Sequence, residues 1–194
     1  FEILQESKKA FSDSEEGTIW RMDGKEARLL NRMVRYLKCR RILQLSGPSG
    51  YKTAALSLMN SVEILNVLPN SDAVALSQKF IHSSGQAQVR LVASDLEDKL
   101  QELASKDPPD SFDLIFLDGS INPTQILQIF DLLLPLVQND TAVVVEGIHR
   151  SPEMEKVWDE LCMRTQVRVS IDIFRWGLIF FRREQAKEHF VVRI

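Results

Sequence analysis

The chain has 194 residues, 44% of them hydrophobic, and a formal net charge of −3 at pH 7. This length supports one good core, and a charge so near neutral singles out neither nucleic acid nor an anionic surface as partner. Cys39 and Cys162 stand far apart and in no CxxC pattern, which excludes a disulfide scaffold and a cysteine zinc site and fits a reducing, cytoplasmic setting.

No basic segment followed by an apolar stretch opens the chain, which starts at Phe1, so a natural N-terminal segment is expected to be missing. Residues 1–40 form an N-terminal helical segment. Within it Leu29, Leu30, Met33, Val34 and Leu37 make one apolar face. Lys25, Arg28, Arg32, Arg35 and Lys38 recur at steps of three and four on another. That basic stripe reads as a solvated face or as an RNA or phosphate contact.

From residue 41 onward, short runs rich in Val, Ile and Leu alternate with segments of helical period. Strands are predicted at RILQLS (Arg41 to Ser46), VEILNV (Val62 to Val67), VRLVAS (Val89 to Ser94), FDLIFLD (Phe112 to Asp118) and TAVVVEG (Thr141 to Gly147). Helices are predicted at TAALSLMN, Ser71 to His82, Leu96 to Ser105, Pro123 to Val137 and PEMEKVWDELCMRT, the last opening with an acidic turn. The longest apolar run, ILQIFDLLLPLV from Ile126, is broken by Asp131 and Pro135 and does not span a bilayer. VRVSIDIF and GLIFFRR flank Arg175-Trp176 and read as an antiparallel hairpin, with HFVVRI as a closing strand. Five continuous apolar strands, each followed by a helix, require a parallel sheet covered on both faces. The expected fold is therefore a three-layer α/β/α Rossmann-like sheet over residues 41–194, mostly parallel with an antiparallel C-terminal hairpin.

Ligands of such sheets bind beyond the carboxyl ends of the strands, where strand order reverses. The loop after the first strand, QLSGPSGYKT from Gln44, is the first place to look. As a P-loop it needs glycines at positions 46 and 51, before Lys52-Thr53, and those positions hold Ser46 and Tyr51. A methyltransferase loop needs an acid two places before a glycine, then further glycines that let the backbone approach a cofactor. In that spacing Gln44 stands for the acid, Ser46 for the first glycine and Pro48 for the middle one, while Gly50 is in place beside Gly47.

The segments RILQLSGPSGYKTAALS, FDLIFLDGS, VVVEGIHRSPEMEKVWDEL and, above all, IDIFRWGLIFFRREQAKEHFVVRI resemble class I SAM-dependent methyltransferases of the O-methyltransferase-like kind, over about Arg41 to Ile194. The resemblance implies S-adenosylmethionine as cofactor and methyl transfer as chemistry. It implies cofactor contacts from Gln44, Ser46, Gly47 and Gly50, and an adenine contact from Asp95, which also reads as a helix N-cap. An acid normally ends the second strand and accepts the ribose hydroxyls. Val67 stands there, with Asn66 beside it as a partial substitute. Asp118 ends the fourth strand and His149 follows the fifth, so both are candidate catalytic groups, His149 as general base or as a histidine bound to backbone. In metal-dependent relatives the Asp118 position helps hold magnesium. Glu146 could join it here, but Gly147 replaces the next acid, which leaves a two-carboxylate magnesium site without its third partner. Trp158 and Trp176 read as core or edge packing, with Trp176 at the hairpin tip able to rim a substrate pocket or a contact with a second copy.

Three functions remain in view: O-methylation of a small hydroxylated molecule, a degenerate ligand or partner binder, and RNA methylation. An exposed sheet edge near the C-terminal hairpin would also invite pairing into a homodimer.

Overall fold

The computed structural model describes residues 24–45, 52, 53, 56, 62–84 and 88–193. Eight strands form one sheet: β1 (Arg41–Leu45), β2 (Glu63–Leu68), β3 (Gln88–Ala93), β4 (Phe112–Leu117), β5 (Val137–Glu146), β6 (Val169–Asp172), β7 (Trp176–Phe180) and β8 (Glu188–Val191). Their spatial order is β3-β2-β1-β4-β5-β7-β6-β8. The first five run parallel, as expected from their unbroken apolar runs. β7 inserts antiparallel between β5 and β6, and β8 lies parallel to β6 at the edge.

Five helices beyond that of Lys52, Thr53 and Leu56 carry the flanking layers: α1 (Gly24–Tyr36), α2 (Ser71–Ser84), α3 (Leu96–Ala104), α4 (Pro123–Leu133) and α5 (Pro152–Met163). Caps start four of them, with Asn70 Oδ1 accepting from the Ala73 N–H at the head of α2. Asp95 Oδ1 accepts from the Glu97 and Asp98 N–H groups, Asn122 caps α4 ahead of Pro123, and Ser151 caps α5 ahead of Pro152. α4 ends earlier than its apolar pattern suggests, passing into a 3₁₀ turn over Leu134–Leu136. Pro135 explains the break, because it has no N–H to continue the ladder. No helix among the described residues is long and apolar enough to cross a membrane.

One core layer joins α3, α4 and α5 to the sheet, with Phe130, Leu133 and Trp158 at its centre. On the other face α1 buries Ala27, Leu30 and Val34 against Ile42, Ile64, Leu114 and Phe116. These positions are spaced three and four apart, so a single helical face supplies the contact. Arg28, Arg32, Arg35 and Lys38 are exposed on the outer side.

Trp176 lies within β7 rather than at a hairpin tip. It is 1% exposed, in register opposite Glu146 of β5, with its ring edge-on to Phe116 at 5.9 Å. Across the sheet Trp158 presses on Gly177, where a Cβ would fall 2.3 Å from the indole, so only glycine fits. Cys39 and Cys162 are both free, and burial with the nearby charge of Asp113 pushes the Cys39 thiol up to about 12, which makes it inert as a nucleophile.

Candidate functional site

Strand order reverses between β1 and β4, and buried Gln44, Lys52, Thr53, Asn66, Asp118 and Glu146 gather at the carboxyl ends of β1, β2, β4 and β5. Lys52 is at the centre. Its side chain is 1% exposed, and Nζ donates to Asp118 Oδ2 at 2.5 Å and to Glu146 Oε2. The Gly119 N–H donates to the same Glu146 oxygen at 2.7 Å, and the Ser120 N–H to Asp118 Oδ1 at 2.9 Å. Burial alone would push the Lys52 pKa down, but the two carboxylates outweigh it and hold the amine above its usual value. Burial likewise pushes both acids up. Lys52 and the Ser120 N–H reverse this for Asp118, whereas Glu146, which also feels the charge of Asp118, stays above the usual carboxylate range. Asp118 is therefore the fixed anion of the triad, and Glu146 is the carboxylate that exchanges a proton more readily.

Beside the triad runs a second buried chain. The Thr53 hydroxyl donates to Gln44 Oε1 at 2.9 Å and accepts from Asn66 Nδ2 at 2.8 Å. Gln44 Nε2 has no hydrogen-bond partner among the described residues. An unmade bond of that kind costs about 1–3 kcal/mol unless something else accepts it. Val67 is fully buried in the core, so the end of β2 offers no acid. Asp95 spends Oδ1 on its cap. Ser46, Gly47 and Gly50 lie outside the described residues.

A cavity of about 410 Å³ opens beyond β5, lined by Glu146, Gly147, His149, Arg150, Phe174, Arg175 and Glu26 of α1. Arg175 Nη1 pairs with Glu26 at 2.5 Å and so ties the β6–β7 turn to the first helix. Gly147 has φ +72°, and a Cβ there would meet the Arg150 side chain at 3.2 Å. The second acid expected after the fifth strand is thus disfavoured by backbone shape. Among the described residues no group of three or more His, Cys, Asp or Glu is placed to hold a metal ion. A second cavity, about 440 Å³, sits at the amino ends of the strands around Arg41, Glu63 and Gln88. That is the wrong end of a parallel sheet for its ligand.

His149 differs from its expected role. Nδ1 meets Glu155 Oε1 at 2.9 Å, Nε2 meets Asp172 Oδ2 at 2.8 Å, and the ring stacks on Phe174. Both nitrogens are occupied, so no lone pair is open to a substrate proton, and the partners are carboxylates rather than backbone. Hydrogen bonds donated to the Glu155 and Asp172 carboxylates hold the imidazole pKa above its usual value. Stabilisation from this pairing is complete below the unfolded pKa of about 6.5 and is lost as pH rises through the folded value. The melting-temperature gap between wild type and His149→Asn should be widest near about pH 6 and close in alkaline solution. A gap that ignores pH would count against a charged imidazole.

The methyltransferase-domain family matches residues 24–148, from α1 to the loop beyond Glu146. The chain belongs to that family. Among curated protein sequences none matches this methyltransferase. Its fold is similar to that of the O-methyltransferase TomG from Streptomyces achromogenes, involved in tomaymycin synthesis and solved in complex with SAM, at 18% identity and TM-score 0.77, covering 93% of this chain and 90% of that one. It is also similar to the SAH-bound methyltransferase PaMTH1 of Podospora anserina (17% identity, TM-score 0.74, 93% and 86% covered). A third likeness is to the SAH-bound O-methyltransferase of Bacillus cereus (15% identity, TM-score 0.72, 92% and 89% covered). At such identities the likeness is one of fold.

Lys52 was the residue that sequence patterns missed. Its signal was charge balance: two acids at the ends of adjacent buried strands require a cation, and Lys52 follows the loop at the same sheet end.

Proposed function

We propose that this methyltransferase binds S-adenosylmethionine at the carboxyl ends of β1 and β2 and methylates the oxygen of a small hydroxylated acceptor. The observation that supports this reading most directly is a largely buried carboxylate, Glu146, lining an open cavity at the sheet end where the family holds its cofactor. The donor set fits the cofactor at two of its ends. The Gln44 amide, without a partner among the described residues, suits the carboxylate of the methionine moiety, and Asp95 suits the adenine amino group. Without an acid at Val67 the ribose loses a charged acceptor, a contribution of about 1.5–3 kcal/mol, or roughly tenfold to a hundredfold in affinity.

Held by Gln44 and Asp95, S-adenosylmethionine would supply an electrophilic sulfonium methyl and keep the carbon–sulfur electron pair, and the acceptor oxygen would lose its proton to the protein. Glu146 is the base for that proton, because it lines the cavity and its pKa lies above the usual range. Asp118 keeps Lys52 charged, and His149, held between two acids, shapes the cavity wall with Phe174. Alignment of the two substrates does much of the remaining work.

Thermal unfolding with S-adenosylhomocysteine at about a hundred times its dissociation constant should raise the melting temperature by about 5–10 °C, the equivalent of about 2.7 kcal/mol. The absence of a shift with it and with S-adenosylmethionine would overturn the assignment. A second reading, an RNA acceptor, is favoured by exposed Arg28, Arg32, Arg35 and Lys38. It requires RNA binding that weakens steeply with salt.

A further inference from the structure

We propose that Lys52 takes the place of a divalent cation in this methyltransferase, so that Asp118 and Glu146 serve a reaction that needs no metal. The inference rests on the methyltransferase reading of the same site. The resemblance to metal-dependent methyltransferases implies magnesium at these two strand ends, and here a single ammonium nitrogen bridges the two carboxylates. Three features make that nitrogen a fixture. It is 1% exposed, it donates to both acids, and its residue is followed by Thr53, which is bonded to Gln44 and through Asn66 to β2. A metal would have to displace a buried amine that already satisfies both acids.

The backbone offers no carboxylate beyond these two, so a metal taken up once Lys52 is gone would complete its shell with waters. Gly147, at φ +72°, occupies the position after Glu146. With one unit of positive charge against two carboxylates, the ionised triad keeps a net charge of −1, which suits a neighbouring sulfonium. A divalent ion would leave the pair neutral. Lys52 is thus a positioning residue. It fixes the Glu146 carboxylate at the cavity wall, and the acceptor proton passes to that carboxylate rather than into a metal-bound pathway.

The test is a Mn²⁺ titration of the full chain followed by electron paramagnetic resonance, with no cofactor or acceptor present. The wild-type protein should leave the free Mn²⁺ signal unchanged, and Lys52→Ser should gain one bound Mn²⁺ that is lost again on adding Glu146→Gln. One bound Mn²⁺ in the wild type, abolished by Asp118→Asn or Glu146→Gln, overturns the proposal. So does a folded Lys52→Ser protein that takes up none. If Lys52→Ser does not fold, the wild-type titration decides alone, with chelator-treated protein expected to give the same S-adenosylhomocysteine melting shift as untreated protein. The methyltransferase reading fails by a separate result, the absence of any such shift.

Discussion

Lys52→Met should cost the fold about 3–5 kcal/mol, since it leaves two buried carboxylates without their cation. In a domain of this size that is a fall in melting temperature of roughly 6–20 °C. Asp118 and Glu146 are only 3% and 9% exposed, so water replaces little of the lost ammonium. Methionine keeps the length and bulk of the side chain, which isolates charge from packing. The two acids would then share a proton, with a folded pKa above the unfolded one, so the loss should be smaller near about pH 5 than near pH 8. Adding Glu146→Gln should restore much of the stability, because one negative charge is removed. Urea unfolding of the three proteins at both pH values measures this, and a wild-type midpoint for Lys52→Met would mean that the triad contributes nothing.

Glu146→Gln alone should behave in the opposite way. Its unfolding midpoint should stay close to wild type, since glutamine keeps an oxygen for the Gly119 N–H and leaves Lys52 and Asp118 as a one-to-one pair. Turnover should fall by about 10²- to 10⁴-fold, the usual worth of a positioned general base. The effect belongs in kcat rather than KM, because the carboxylate acts on the proton as it leaves. Near-normal turnover would remove Glu146 from the chemistry and return attention to His149, after disruption of its contacts with Glu155 and Asp172.

The parallel half of the fold was legible because both faces of β1, β2, β4 and β5 are covered, and buried strands write themselves as unbroken apolar runs. The antiparallel ending was legible from two runs with no helix between them. Helix starts could be read where caps are local, as at Asp95, which depends on contacts two and three residues away. Long-range polar contacts were not legible. The Lys52–Glu146 bond spans 94 residues and the Arg175–Glu26 bond 149, and no periodicity records either. The carboxylate partners of His149 were not legible for the same reason, as Asp172 arrives from another strand. Arg175-Trp176 interrupts two strands in sequence and so reads as a tip, whereas the turn itself is Ile173 to Arg175 and the indole starts β7.

That indole has a practical consequence. It is buried, stacked edge-on to Phe116 on the strand that leads to Asp118, and opposite Glu146 across β5 and β7. Trp176 is therefore an optical probe already wired into the site. Its emission should lie toward the blue of a dry indole, and its wavelength should respond to the field of the neighbouring charges. With Trp20 and Trp158 replaced by phenylalanine, gain or loss of a charge on Glu146 then becomes visible as a colour change without a methyl group ever being transferred.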